Sequence, residues 1–116
     1  MDELPDFNRE RIAVLFGTDG ELTRQVLEIL EEDIPRHLSE LQQAIQQKDG
    51  RRIYEIAHTL KGSLANVGGE RGSSISLRML QAAQKDDFPR CLELYRKLET
   101  SANQLLAQLS QFAREQ

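Results

Sequence analysis

Apolar residues recur at steps of three and four along almost the whole chain, and two-residue alternation never persists for more than a few positions. This pattern predicts helices and no strands. The expected helices cover residues 8–16, 19–47, 50–67, about 73–84 and 87–112. We therefore predict an all-α fold, an antiparallel up-down four-helix bundle with a short additional N-terminal helix as a cover. At 116 residues, positions 1–116 are expected to form one domain.

Capping and helix-breaking residues support these boundaries. Asn8, Asp49 and Asp87 stand where an N-cap acceptor is needed. The two glycines at 68–69 are typical of a helix C-terminus. Pro35 lies inside the second apolar stripe and cannot donate a hydrogen bond to the preceding turn, so a kink or a break is expected there.

Composition restricts the possible functions. The chain has 39% apolar and 29% charged residues, which is typical of a globular protein, and is too short for the nucleotide or α/β domains of kinases, dehydrogenases and hydrolases. Cys91 is the single cysteine, so it forms neither an internal disulfide nor a cysteine metal cage, and we expect a buried structural thiol. With 15 basic and 19 acidic residues, the net charge of −4 gives no footprint for nucleic acid.

The sequence also gives no signal for membrane insertion or export. Its acidic start, Met1–Asp6, lacks the apolar core of a signal peptide. The longest apolar run, 12–16, is too short to span a bilayer. A cytoplasmic protein without a membrane segment is therefore expected.

The two histidines, His37 and His58, are the main candidates for chemistry. They lie 21 positions apart and outside any metal-binding motif, so no metal site is predicted. His37 is expected to be an ordinary surface residue. On a helical projection His58 lies roughly 150° from the apolar stripe of its helix and points outward. Four residues lie within roughly 60° of it on the projection: Tyr54, Lys61, Gly62 and Ala65.

Each neighbour of His58 allows a structural and a functional interpretation. A mid-helix glycine costs on the order of 1 kcal/mol relative to alanine, so Gly62 suggests clearance for something that docks on His58. Lys61 is either a solvated lysine or a cation that neutralises a charged group held on the imidazole. Tyr54 either lines a docking surface or packs against the core.

The segment Ala57–Gly68, AHTLKGSLANVG, resembles the AHxLKGxxxxxG signature of histidine-containing phosphotransfer (HPt) domains. The resemblance extends upstream through 30–50 and covers about residues 5–115. It implies that His58 accepts a phosphoryl group from the aspartyl-phosphate of one receiver domain and passes it to the aspartate of another. Lys61 then stabilises the phosphoryl oxygens, and Gly62 gives access.

Further expectations follow from the same resemblance. The partners are response-regulator receiver domains, with a hybrid sensor histidine kinase as a further candidate, and Tyr54 and Ala65 belong to the surface that meets them. The chain needs no cofactor, because Mg²⁺ is supplied by the receiver. It has no ATP site and is not an enzyme in its own right. A monomer is expected for a separate reason, because the predicted bundle closes on itself without a second chain.

Two positions depart from the family pattern. Leu80 stands where the family usually has a Glu or Gln that orients the histidine ring, and Gln81 or Gln84 is a candidate substitute. Gly72 replaces a large apolar residue, which suggests that the fourth helix begins late, capped by a serine at 73 or 74.

Alternative functions remain open on the sequence alone. One is the dimerisation and phosphoacceptor region of a histidine kinase, although the Thr-Leu-Lys-Gly that follows His58 is not the acidic residue and Arg-Thr-Pro stretch typical there. Another is a helical adaptor that binds receivers without chemistry. A basic rim for an acidic partner, or merely a solvated surface, is offered by four arginines: Arg51, Arg52, Arg71 and Arg78.

Overall fold

The computed structural model describes residues 4–116, so the first three residues of the acidic start lie outside the described part of the chain. Five helices follow one another without any strand within 4–116: α1 (Arg9–Phe16), α2 (Gly20–Gln46), α3 (Gly50–Ala65), α4 (Glu70–Gln84) and α5 (Phe88–Arg114). The all-α prediction is confirmed.

Four of the five helices begin directly after a residue whose side chain caps them, and the sequence predicts three of these four caps. In each case a side-chain oxygen accepts a hydrogen bond from the backbone N–H three positions later, which satisfies one of the free donors of the first turn. These caps are Asn8, Asp19, Asp49 and Asp87.

The four longer helices close into a bundle around one core. Helix α3 packs on α2 and α4, and α5 packs on α4 and returns to α2. The connections 47–49, 66–69 and 85–87 are so short that successive helices must run antiparallel. Helix α2, with 27 residues, spans about 40 Å, close to the 44 Å long axis of the molecule. Every helix contributes to the buried core, for example Ile12, Ile34, Leu60, Met79 and Leu98.

Pro35 does not break α2, so that part of the prediction is wrong, while the kink stays a prediction. Pro35 and Glu31, whose carbonyl loses its donor, are both exposed, so water can replace the missing hydrogen bond. Ile34 and Leu38 on either side are buried in the core. Packing of these side chains holds the helix continuous.

The stripe on α5 passes through a different leucine from the one expected. Leu92 is exposed, and Leu94 takes the core position instead. Cys91 is fully buried, as predicted. Desolvation, with a smaller contribution from the charge of Asp87, raises the pKa of the Cys91 thiol to about 11, so the thiol stays protonated at neutral pH.

The N-terminus of α4 is capped by a segment from the beginning of the chain. Gly69, at the N-cap, has no side chain to accept a hydrogen bond. The backbone N–H of Arg71 instead donates to the carbonyl of Pro5 at 3.0 Å, and the Arg71 guanidinium pairs with Asp6 at 3.3 Å. We call residues 5–8 the N-terminal strap. It satisfies donors that a local side chain would otherwise serve.

The expectation that α4 begins late at Ser73 or Ser74 is therefore wrong, because the helix already begins at Glu70. Gly72 lies inside its first turns and is buried. A Cβ at this position would lie 2.9 Å from Cδ1 of Leu64 on α3. The glycine is thus explained by close packing of α3 against α4 and does not mark a helix boundary.

Gly68 contacts the N-terminal strap, since its carbonyl accepts a hydrogen bond from the backbone N–H of Asn8 at 2.8 Å. Its replacement should destabilise the fold. Its φ is +76°, and a Cβ would lie 3.0 Å from the Asn8 carbonyl oxygen and 3.1 Å from Cγ1 of Ile12. Left-handed backbone and overpacking together predict that Gly68→Ala lowers the free energy of unfolding by about 2–4 kcal/mol. Urea unfolding followed by circular dichroism measures it.

The matched control is Gly62→Ala, since a Cβ on Gly62 meets nothing within 4 Å. That variant should be no less stable than the wild type. A loss below about 1 kcal/mol for Gly68→Ala would show that neither crowding nor the left-handed backbone is important at this turn.

Within residues 4–116, no helix combines the length and the hydrophobicity needed to cross a bilayer.

Candidate functional site

The exposed face of α3 carries His58. Ala57, one position before it, and Leu60, two positions after it, have no exposed surface, whereas His58 itself is exposed. This arrangement follows from the helical period, which separates the core stripe from the histidine face. The imidazole is therefore accessible to a macromolecular partner.

One turn before the histidine lies an aromatic ring. The rings of Tyr54 and His58 stack with their centroids 6.2 Å apart and their planes inclined by 15°. Tyr54 is half-buried and packs against the core, and it also lines a cleft of about 480 Å³ beside Gly50 and Ala83. His58 thus has an anchored aromatic neighbour on its N-terminal side.

One turn after the histidine the helix surface is bare. Gly62 is exposed, and an added Cβ would meet no atom within 4 Å. Packing within the chain therefore gives no reason for a glycine at this position.

Lys61 provides a cation beside this opening. Its backbone carbonyl accepts a hydrogen bond from the Ser73 hydroxyl at 2.9 Å, which ties α3 to α4. No carboxylate among residues 4–116 pairs with its ammonium group. Lys61 and the half-buried Ala65 line a shallow cleft of about 300 Å³ together with Ser74 and Leu77. Glu70 lines the same cleft but forms no ion pair with Lys61. The structure thus places an ammonium group without an ion-pair partner among residues 4–116 three positions after the histidine on α3.

The family model for the Hpt domain matches residues 25–115. The chain belongs to the Hpt domain family. Its fold is similar to that of histidine-containing phosphotransfer protein B (HptB) from Pseudomonas aeruginosa PAO1, with a TM-score of 0.87 over 97% of each chain and 19% sequence identity. Comparison with curated protein sequences gave no match. This Hpt domain is accordingly a phosphotransfer intermediate of phosphorelays, and receiver domains are the partners with which such domains interact.

The imidazole of this Hpt domain lacks the polar side chain that the family pattern places on the next helix. Leu80 is only 6% exposed and belongs to the core. Gln81 and Gln84 are exposed, and within residues 4–116 neither forms a hydrogen bond with His58. Neither glutamine is therefore the substitute that the sequence suggested. The sequence places Tyr54 beside His58 at a spacing of four residues, but the stacking of the two rings was not predicted from it.

Three of the four arginines that could form a basic rim on the Hpt domain lie beside its own carboxylates. Arg51 pairs with Glu55 at 3.1 Å, and Arg52 lies 3.6 Å from Glu40 on α2. Arg71 is occupied by the N-terminal strap. Exposed pairs of this kind contribute little to stability, but they lower the positive potential that an acidic partner would meet.

The other histidine lies on a different helix. His37 is half-buried on α2, and the structure shows no contact between its ring and His58 among the described residues. Across 4–116, no three His, Cys, Asp or Glu side chains cluster in a way that could hold a metal ion.

Proposed function

We propose that this Hpt domain accepts a phosphoryl group on His58 from the aspartyl-phosphate of one receiver domain and passes it to an aspartate of another. The observation that carries the proposal is the surrounding of the imidazole. His58 is exposed, the position one turn later is the bare Gly62, and Lys61 holds an ammonium group without a carboxylate partner among residues 4–116.

The transfer needs few groups from the Hpt domain. The unprotonated nitrogen of a neutral imidazole attacks phosphorus, the N–P bond forms, and the P–O bond to the donor aspartate breaks, which leaves a free carboxylate on the receiver. In the second transfer an acceptor carboxylate attacks phosphorus, the P–O bond forms and the N–P bond breaks. We expect Mg²⁺ to be bound by receiver carboxylates and the Hpt domain to need no cofactor of its own.

Lys61 is proposed to stabilise the phosphoryl oxygens. On a helix, residues three apart are neighbours on one face, so the flexible ammonium can reach a group on His58. Opposite charges about 4 Å apart attract by about 1 kcal/mol in water and about 4 kcal/mol at an effective dielectric of roughly 20. The attraction therefore increases when a docked receiver excludes water.

Tyr54 and Ala65 are proposed to lie at the two ends of the surface that the receiver meets. They stand four residues before and seven after His58, on the same face of α3. Because the core closes within one chain, we also propose a monomer that forms one domain over 1–116. We further propose that it acts in the cytoplasm, as the sequence predicts.

The proposal is tested with a panel of purified receivers phosphorylated by acetyl phosphate. The wild-type chain should take label from one receiver and give it to another that was added unlabelled. A parallel arm contains the chain with ATP alone and should stay unlabelled. Label from ATP would show an autokinase, and binding of receivers without transfer would favour the adaptor; either result overturns the relay.

Lys61→Gln should slow acceptance of the phosphoryl group by roughly three- to thirtyfold, because the loss of one partly screened charge interaction is of that size. Single-turnover transfer from a phosphorylated receiver measures the rate. Lys61→Arg keeps the charge and should lose much less. The matched control is Lys97→Gln, which removes one charge from α5. Equal losses for Lys61→Gln and Lys97→Gln would show an effect of net charge only and contradict a role at the site.

A further inference from the structure

We propose that Tyr54 is the positioning residue for His58. In this chain its stacked ring takes over the orienting role for which the family pattern uses a polar side chain on the next helix. The inference rests on the proposed function, because orientation matters only if His58 takes part in transfer. It assigns Tyr54 a role beyond that of a surface that touches the partner.

The imidazole needs an orienting group because little else holds it. It is exposed, and within residues 4–116 no side chain forms a hydrogen bond with either ring nitrogen. The hydroxyl of its neighbour Thr59 donates a hydrogen bond to the backbone carbonyl of Glu55 and is therefore not available to hold the imidazole. On the C-terminal side Gly62 offers no atoms to pack against. An unrestrained ring samples several rotamers, whereas in-line transfer needs one nitrogen aimed at phosphorus.

Tyr54 is placed to supply the missing restraint. Helical side chains lean toward the N-terminus, so the ring of residue 58 lies over the turn that contains residue 54. The observed centroid distance of 6.2 Å and the small angle of 15° fall within the range of interacting ring pairs. Tyr54 is itself half-buried and packed against the core. An anchored ring therefore limits the motion of an exposed one.

The ring and not the hydroxyl group of Tyr54 is the active part of this contact. Within residues 4–116 the structure shows no hydrogen bond to the Tyr54 hydroxyl. Removal of the oxygen should therefore leave the stack unchanged. Removal of the ring should release the imidazole while apolar bulk is kept. Tyr54→Phe and Tyr54→Leu form the corresponding matched pair.

The test is single-turnover transfer from a phosphorylated receiver at increasing receiver concentration. Tyr54→Leu should lower the rate at saturation by roughly three- to tenfold, which is the size of an aromatic pair interaction. The place of Tyr54 on the receiver surface affects the half-saturating concentration, so the rate at saturation is the quantity that reports positioning. Tyr54→Phe keeps the ring and should keep the rate at saturation. Three-bond couplings at the His58 Cβ should show rotamer averaging in the Leu variant only. Phosphoramidate, a small donor that needs no docking, should label all three proteins at similar rates.

The results separate this inference from the function on which it rests. If the wild type accepts nothing from any receiver but is labelled by phosphoramidate, the proposed function fails. If the wild type transfers and Tyr54→Leu keeps its full rate at saturation, only the positioning role is overturned. A raised half-saturating concentration with an unchanged maximal rate would make Tyr54 a docking contact only and overturn the positioning role. Slower labelling of Tyr54→Leu by phosphoramidate would show an intrinsic change in the imidazole and also contradict positioning.

Discussion

His58→Gln is expected to reduce receiver-dependent labelling of the chain to background, a loss of at least about 100-fold. The amide nitrogen of glutamine is not nucleophilic, so no N–P bond can form at this position. The substitution removes the nucleophile and leaves the surrounding helix surface in place. Transfer from a radiolabelled receiver followed by gel electrophoresis measures it. Label on the wild type should be acid-labile and stable in alkali, as expected for a phosphoramidate linkage.

Two controls distinguish loss of chemistry from loss of structure. The His58 ring is exposed and accepts or donates no hydrogen bond within residues 4–116, so His58→Gln loses mainly the stack with Tyr54 and should change the free energy of unfolding by no more than about 1.5 kcal/mol. His37→Gln removes the other imidazole and should retain full labelling. If label persists on His58→Gln and disappears with His37→Gln, the phosphoryl acceptor is His37 on α2 and not His58.

The parts of the fold that could be predicted from the sequence are those determined by local chemistry. Asn8, Asp49 and Asp87 are N-caps as expected, because capping involves only residues three positions apart. The outward direction of His58 also follows from the helical period alone. Gly68 has the positive φ expected of a helix-terminal glycine, although α3 already ends at Ala65.

The parts that could not be predicted depend on residues far apart in the chain. Helix α4 begins at Glu70 because the carbonyl of Pro5 accepts from the N–H of Arg71, and no local pattern announces that partner. In the sequence Gly72 suggests a late start of α4, yet the structure explains it by the close approach of Leu64 from α3. Long-range packing decides both cases.

At the candidate site the same division holds. The outward face of α3 and the position of Gly62 on it could be predicted, since both depend on helical spacing. Whether a polar side chain of α4 orients the His58 ring could not be predicted, because that depends on which side of α4 faces α3. Leu80 is in the core, and Gln81 and Gln84 make no hydrogen bond with His58 within the described chain.

Side chains at position 62 should preserve or raise the stability of the fold but slow phosphoryl transfer from a receiver. Gly62→Ala should raise the free energy of unfolding by up to about 1 kcal/mol, because alanine has the higher helix propensity and its Cβ enters open space. Gly62→Gln should also fold, yet accept the phosphoryl group from a receiver roughly 100-fold more slowly. A side chain there obstructs docking of the receiver, and at receiver concentrations below saturation a hundredfold loss corresponds to about 3 kcal/mol of docking free energy. Single-turnover transfer and urea unfolding measure the two quantities.

The pattern of the kinetic change identifies the cause. Clearance is a property of docking, so the half-saturating concentration of receiver should rise from glycine to alanine to glutamine, in contrast to the effect at Tyr54, where the rate at saturation falls. Phosphoramidate is small enough to reach His58 past either side chain and should label all three proteins alike. A Gly62→Gln variant that transfers as fast as the wild type would contradict the role of Gly62 in giving the receiver access. The glycine would then lower the stability of its helix without improving docking. A variant that loses phosphoramidate labelling as well would show that the side chain covers the imidazole itself and does not obstruct the receiver.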